Sequence, residues 1–220
     1  QAARSELARQ AERSARVLQL ERENANLRSL LDLRPALGVR SIAAEVLYDA
    51  PDIYSRKVIV DRGSRNGVLP GAPVIDAKGV LGQVTRVYPL NAEVTLLTDK
   101  DAAIPVLNER TQVRGAAYGR PGGGGMELRF MAGNADVQVG DLLTTSGVDG
   151  VYPPGLPVAR VSEVDRRVET SFARIVLQPV ASPDGVRQVL VLEPIGVQLP
   201  PRPEPAAEAA SEPARKAARR

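Results

Sequence analysis

The chain has 220 residues, 43% of them hydrophobic and 25% charged, so its bulk can fold around a sizeable core. It contains no cysteine and no histidine, which excludes disulfides, thiolate chemistry, and imidazole as general base or metal ligand. The net charge of +3 does not mark a nucleic-acid binder: residues 1–34 and 198–220 each carry +2, the remainder carries −1, and no Trp is present for base stacking.

Residues 1–34 lack Gly and Pro and are rich in Ala, Leu, Glu and Arg, which predicts a helix. Val17, Leu20, Asn24, Leu27 and Leu31 follow the alternating three-and-four spacing of a coiled-coil seam, with Asn24 where a buried Asn fixes register. Extending the frame backwards places Gln10 and Arg13 on the seam, so the pattern covers about two heptads. The spacing suits either a self-associating helix or an amphipathic helix packed on its own domain. Pro35 and Gly38 are expected to end it.

Residues 39–197 read as β-structure, because short Val-, Ile-, Leu- and Thr-rich runs alternate with Gly, Pro, Asp and Asn. Strands are predicted at 41–48, 56–61, 80–87, 92–97, 112–118, 126–131, 156–164, 172–180 and 187–197. Asp76–Gly79 reads as a hairpin turn, with Gly79 free to take positive φ. Gly67, Gly71, Gly82, Gly140, Gly147, Gly150 and Gly155 are further expected turn positions. Strands this short and numerous suit small barrels or sandwiches. "NGVLPGAPVIDAKGVLGQVTRV" is echoed by "ADVQVGDLLTTSGVDGVYPPGLPVARV", Gly71 matching Gly140 and Leu81 matching Leu156 across a loop that is longer in the second copy. Two similar β-subdomains account for the echo. The expected boundaries are a helix over 1–34, a first subdomain over 35–118 that the C-terminal strand could complete, and a second over 119–197.

"GRPGGGGM" lacks the Lys-Ser/Thr of a phosphate-cradling loop and opens a strand, so it reads as a linker or hairpin loop. The Pro- and Ala-rich residues 198–220 cannot bury enough apolar surface to order and read as a disordered tail.

Ser146, in "LLTTSG", raises the question of a nucleophile. A Ser-His-Asp site is impossible here, the G-x-S-x-G elbow is absent, and Lys57, Lys78, Lys100 and Lys216 lack diagnostic spacing for a Ser-Lys pair. The run also resembles an aspartic-protease loop, but Thr145 stands where the carboxylate would be. The loop therefore reads as an architectural corner, and no catalytic, cofactor-binding or metal-binding residue is assigned.

"ENANLRSLLDL", "VIVDRGSRNGVLPGAPVIDAKGVLGQV", "EVTLLTD" and "VQVGDLLTTSGVDGVYPPGLPVARV" occur in an order that resembles the periplasmic part of the MreC rod shape-determining family, over roughly residues 20–197. The resemblance implies a mainly β protein with an N-terminal α-helix, in which two small β-barrel-like subdomains follow a coiled-coil dimerisation helix. It implies a periplasmic location, with an inner-membrane anchor preceding Gln1. It further implies a non-enzymatic scaffold of cell-elongation peptidoglycan synthesis that self-associates and binds and activates the elongation transpeptidase, a class B penicillin-binding protein. MreB, MreD and RodA are the other implied partners, with no cofactor, nucleic acid or small-molecule substrate. A β-rich body could recruit such partners by strand addition at an exposed edge or through an apolar groove. The competing readings are a peptidoglycan hydrolase using Ser146 and an obligatory filament-forming protein.

Overall fold

The computed structural model describes residues 2–198 except 51, 53, 123, 130, 132–134 and 166–172. Helix α1 (Ala2–Leu37) leads into twelve strands and a final short helix. The first five strands are β1 (Ser41–Asp49), β2 (Lys57–Val60), β3 (Pro73–Ile75), β4 (Val80–Val87) and β5 (Ala92–Leu96). They are followed by β6 (Ala103–Asn108), β7 (Arg114–Gly119), β8 (Met126–Arg129), β9 (Leu142–Thr145), β10 (Pro157–Asp165) and β11 (Arg174–Pro179). Strand β12 (Gln188–Leu192) and helix α2 (Ile195–Gln198) complete the described chain.

Helix α1 runs past its expected end at position 34, through Pro35, to Leu37. Proline's fixed φ is helical, so in a last turn it costs a hydrogen bond without forcing a break. The stop comes at Gly38, whose φ of +63° supplies the left-handed residue that commonly follows a helix.

The strands close into two six-stranded antiparallel barrels, ordered β1-β12-β3-β4-β5-β2 and β10-β11-β8-β7-β6-β9. Every described strand is therefore paired on both sides, and neither barrel offers the free edge that strand addition requires. The second barrel uses consecutive strands. The first uses β1 to β5 and is closed by β12, so the second is inserted between β5 and β12. The expected division at residue 118 is thus displaced: β6 and β7 belong to the second barrel, because β6 pairs with β9 as well as with β7. The "GRPGGGGM" segment is the hairpin loop between β7 and β8, not a linker. Residues 199–220 lie outside the described residues.

The sequence echo is a structural repeat. Gly71 N–H donates to the Val84 carbonyl at 2.8 Å, as Gly140 N–H does to that of Val161. The returning bonds, Val84 to Ala72 and Val161 to Asp141, also match. Register breaks skip Thr85 against β5 and Ser162 against β11, and the two hydroxyls donate to the carbonyls of Glu93 and Val176. These pairings set Val84 against Val161, so the loop inserted in the second copy is longer than matching Leu81 with Leu156 implies. Glycines in turns carry no register, whereas ladder bonds do, and the Gly-rich match therefore misjudges the insertion.

Strands β3, β4 and β12 form a wall buried on both sides. Val74, Leu81, Val189 and Val191 enter the core of the first barrel. Ile75, Val80, Leu190 and Leu192 join a cluster with Ile104, Leu143, Val158 and Leu177 of the second. Alternation along a strand sends neighbours to opposite faces, so a wall between two cores must be apolar at every position. That requirement explains the unbroken "VLVL" of β12.

Candidate functional site

The corner after β9 is held by its own side chains. Thr145, 1% exposed, donates through Oγ1 to the Pro153 carbonyl and accepts the Leu156 N–H at 2.9 Å. Thr145 N–H donates to the Leu156 carbonyl, and Gly155 N–H to that of Thr145. Asp149 Oδ1 accepts the amides of Val151 and Tyr152 at 3.1 and 3.3 Å. Burial of the Tyr152 ring pushes its phenol pKa upward. The loop in turn receives α2, because Gly196 N–H donates to the Gly150 carbonyl at 2.5 Å and Ile195 N–H to that of Val151 at 3.4 Å. Residues 144–155 therefore latch the chain returning from the first barrel onto the second.

Ser146 takes a minor part in this corner. Its Oγ lies 3.4 Å from the Pro105 carbonyl and meets no lysine among the described residues. Lys57 pairs with Glu93 at 3.1 Å, and Lys216 lies outside the described residues. Lys78 donates to a different serine, Ser182, at 2.8 Å on the exposed surface. Among the described residues no lysine is hydrogen-bonded to Ser146, and the one serine that a lysine does reach, Ser182, is on the exposed surface.

Of the eight turn glycines, Gly67, Gly71, Gly140, Gly147, Gly150 and Gly155 have positive φ. Gly79 and Gly82 do not, contrary to the expectation for Gly79. They are glycine for want of space: an added Cβ would stand 2.3 Å from the Pro157 carbonyl oxygen at Gly79 and 2.2 Å from that of Thr95 at Gly82.

A polar cluster that the sequence does not announce joins the start of β9 to the β6–β7 turn. Asp141 accepts bonds from Asn108 Nδ2, Arg110 Nε and Nη2, and Gln138 N–H, all within 3.0 Å. Arg110 also pairs with Asp136 at 2.8 Å. The Arg110 hydrogen bond holds the Asp141 carboxyl far below the usual carboxylate range, and the two aspartates raise Arg110. With its oxygens engaged, Asp141 organises a turn. Asn108 and Arg110 reach it from a different turn, so no local motif marks the cluster.

The seam residues of α1 come together on one face. Val17, Leu20, Leu27 and Leu31 are 42–59% exposed, and Asn24 beside them is exposed too, as are Gln10 and Arg13. A different face meets the body: Leu30 is buried against the core cluster and Glu23 accepts a hydrogen bond from Gln188 at 3.3 Å. A recess of about 590 Å³ opens where β1, β12 and the 66–72 turn meet, with Ile42, Val68, Leu69 and Val191 beside Arg40, Asn66 and Glu193 in its lining. Among the described residues no group of three or more acidic side chains could hold a metal ion, and no helix is long and apolar enough to cross a membrane.

The family model for the barrel core of the rod shape-determining protein MreC matches residues 46–193. The cell shape-determining protein MreC of Escherichia coli is 37% identical over 174 residues, 79% of this chain and 47% of that protein. The chain thus spans about half the length of this curated relative. The crystal structure of MreC from Pseudomonas aeruginosa superposes with a TM-score of 0.67 at 37% identity, covering 70% of this chain and 99% of the other. The fold also matches a structure of a complex between the penicillin-binding protein PBP2 and MreC from Helicobacter pylori. That match has a TM-score of 0.55 at 16% identity and covers 70% of this chain and 99% of the other.

Proposed function

The chain belongs to the MreC family, and from that premise we propose that it is a non-enzymatic scaffold for cell-elongation peptidoglycan synthesis, acting in the periplasm at the inner membrane. The match across the barrel core, residues 46–193, carries the reading. The partner proposed is the elongation transpeptidase, a class B penicillin-binding protein; the Helicobacter pylori neighbour described as a complex with PBP2 supports it. MreB, MreD and RodA are proposed as further members of the same assembly.

Activation of the transpeptidase is a population shift: the scaffold binds the active conformation more tightly than the inactive one. The exposed seam on α1 supports self-association, which would present two copies of the barrels and raise effective affinity. Ser146 is proposed to have no catalytic role, since its hydroxyl is directed to a backbone carbonyl and no base adjoins it among the described residues.

The test is calorimetric titration of the chain with the periplasmic part of the transpeptidase, alongside the Ser146→Ala variant. Saturable binding that is indifferent to Ser146 is expected. Absence of binding by both proteins would sink the partner assignment, and loss of binding or of peptidoglycan-directed activity in the variant alone would revive the serine.

A further inference from the structure

A second cavity, of about 240 Å³, lies at the junction of the barrels and has no counterpart in the scaffold reading. It is lined by Tyr54 and Arg56 before β2, Thr98 and Lys100 between β5 and β6, and Arg120 and Gly122 after β7. Arg56, Lys100 and Arg120 bring three cations to it, and no lining side chain is acidic. Among the described residues neither Lys100 nor Arg120 makes an ion pair within 4 Å, although Lys100 is near enough to Asp52 to help lower its carboxyl pKa, and Arg56 holds only the 85%-exposed Asp184, through Nη2 at 3.1 Å. Such a surface pair exchanges readily with solvent and ligands.

Among the described residues two buried polar atoms here also lack hydrogen-bond partners: Arg56 Nε and Thr98 Oγ1. Thr98 is only 3% exposed. A buried hydroxyl or guanidinium N–H without a partner is costly, and a native fold tolerates it where something else supplies the acceptor. The neighbouring buried carboxylate, Asp99, is already engaged, with its oxygens accepting Arg56 N–H at 2.6 Å and Asp101 N–H at 2.8 Å. The wall is rigid. Gly119 packs so tightly on the 97–102 connection that a Cβ would fall 1.8 Å from the Asp99 carbonyl oxygen. Arg56 and Thr98 also line an adjoining cavity of about 500 Å³ that includes Gly125, Gln178 and Pro179.

We propose that this junction is a binding site for an oxoanion, a carboxylate or phosphate group, with the rest of its carrier lying in the adjoining cavity. Guanidinium N–H groups and a hydroxyl donate to the anion, while Lys100 and Arg120 supply charge. Asp184 is the group the anion displaces.

The test is an NMR titration of the whole chain with sodium phosphate and, separately, sodium acetate, each against sodium chloride at matched ionic strength. Saturable shifts at the Thr98 and Gly122 amides and the Arg56 Nε–H are expected with at least one oxoanion and not with chloride. Stronger binding of phosphate points to a phosphorylated carrier, and stronger binding of acetate to a carboxylate. Lys100→Gln combined with Arg120→Gln should weaken binding at least tenfold, while Lys78→Gln should not. Thr98→Val should weaken it without lowering Tm, because the hydroxyl has no hydrogen-bond partner among the described residues to lose. Shifts that fail to saturate, that chloride reproduces, or that survive the double substitution would overturn the site.

Discussion

Gly79 in the first barrel lies against Pro157 in the second so closely that a Cβ at position 79 would stand 2.3 Å from the Pro157 carbonyl oxygen. The obstacle is backbone at the start of β10, which cannot swing aside as a flexible side chain would. Gly79→Ala should therefore destabilise the chain by about 2 kcal/mol, within the range for overpacking. Gly124→Ala, where a Cβ meets nothing within 4 Å and φ is not left-handed, should change little. Denaturant unfolding of both variants checks this; equal midpoints would mean that the barrels separate without cost.

Thr145 and Ser146 are neighbours with opposite weight. Thr145→Val leaves the Pro153 carbonyl and Leu156 N–H without the hydroxyl that joins them, at a cost of about 2 kcal/mol. Ser146→Ala removes one long contact of 3.4 Å and should fall within about 0.5 kcal/mol of the parent. Thermal unfolding separates the two. A larger loss at Ser146 would contradict the hydrogen-bond assignment of the corner.

The Asp141 cluster predicts an acid limb in the stability profile. The folded-state pKa lies below the unfolded value of 3.8, so the stabilisation is fully present above that value and is lost as pH falls through the folded one. Arg110, raised by its partners, stays charged throughout. Asp141→Asn should cost about 2 kcal/mol at neutral pH, since Arg110 on the other side of the pair is 40% exposed and partly screened. It should also flatten the decline in stability below about pH 4. Denaturant midpoints measured from pH 7 to pH 2 test the slope, and parallel profiles for the two proteins would exclude Asp141 as its source.

Leu27→Asp places a charge in the middle of the exposed seam on α1. If the seam is a self-association surface, the variant should sediment as monomer where the parent forms a larger species, because an unpaired buried charge is costly. Asn24→Leu should tighten association while relaxing the choice of register. Sedimentation across a concentration series reads both. A parent that stays monomeric, or a Leu27→Asp variant that does not, removes the seam.

Much of this chain is legible from pattern alone. Helix α1, the β3–β4 hairpin at Asp76 and strands β4, β5 and β10 follow from local propensity and turn chemistry, and so does the repeat. Strands β3, β6 and β9 are missing from the predicted strands, for different reasons. β3 (3 residues) and β9 (4 residues) are embedded in turn-rich sequence and too short for alternation to register. "AIPVLN" of β6 carries a proline that argues against a paired strand. Pro105 nevertheless sits within the β6–β7 ladder opposite Ala116, and its carbonyl, which proline keeps, accepts the Ser146 N–H.

The lack of cysteine and histidine closes thiolate and imidazole chemistry to this chain, since a residue type that is absent cannot be restored by folding. The local elements and the doubling of one β-unit are likewise written in the amino-acid order, because turn residues and alternating apolar positions act over a few residues. Which strands share a barrel is set by pairing between distant segments. The closure of the first barrel by β12, with the whole second barrel intervening after β5, depends on a non-local pairing with β1 whose register no local pattern sets. The same holds for the Asp141 cluster and for the cations around Thr98. Each gathers side chains from segments far apart in the chain, and their energies exist only once the backbone has brought them together.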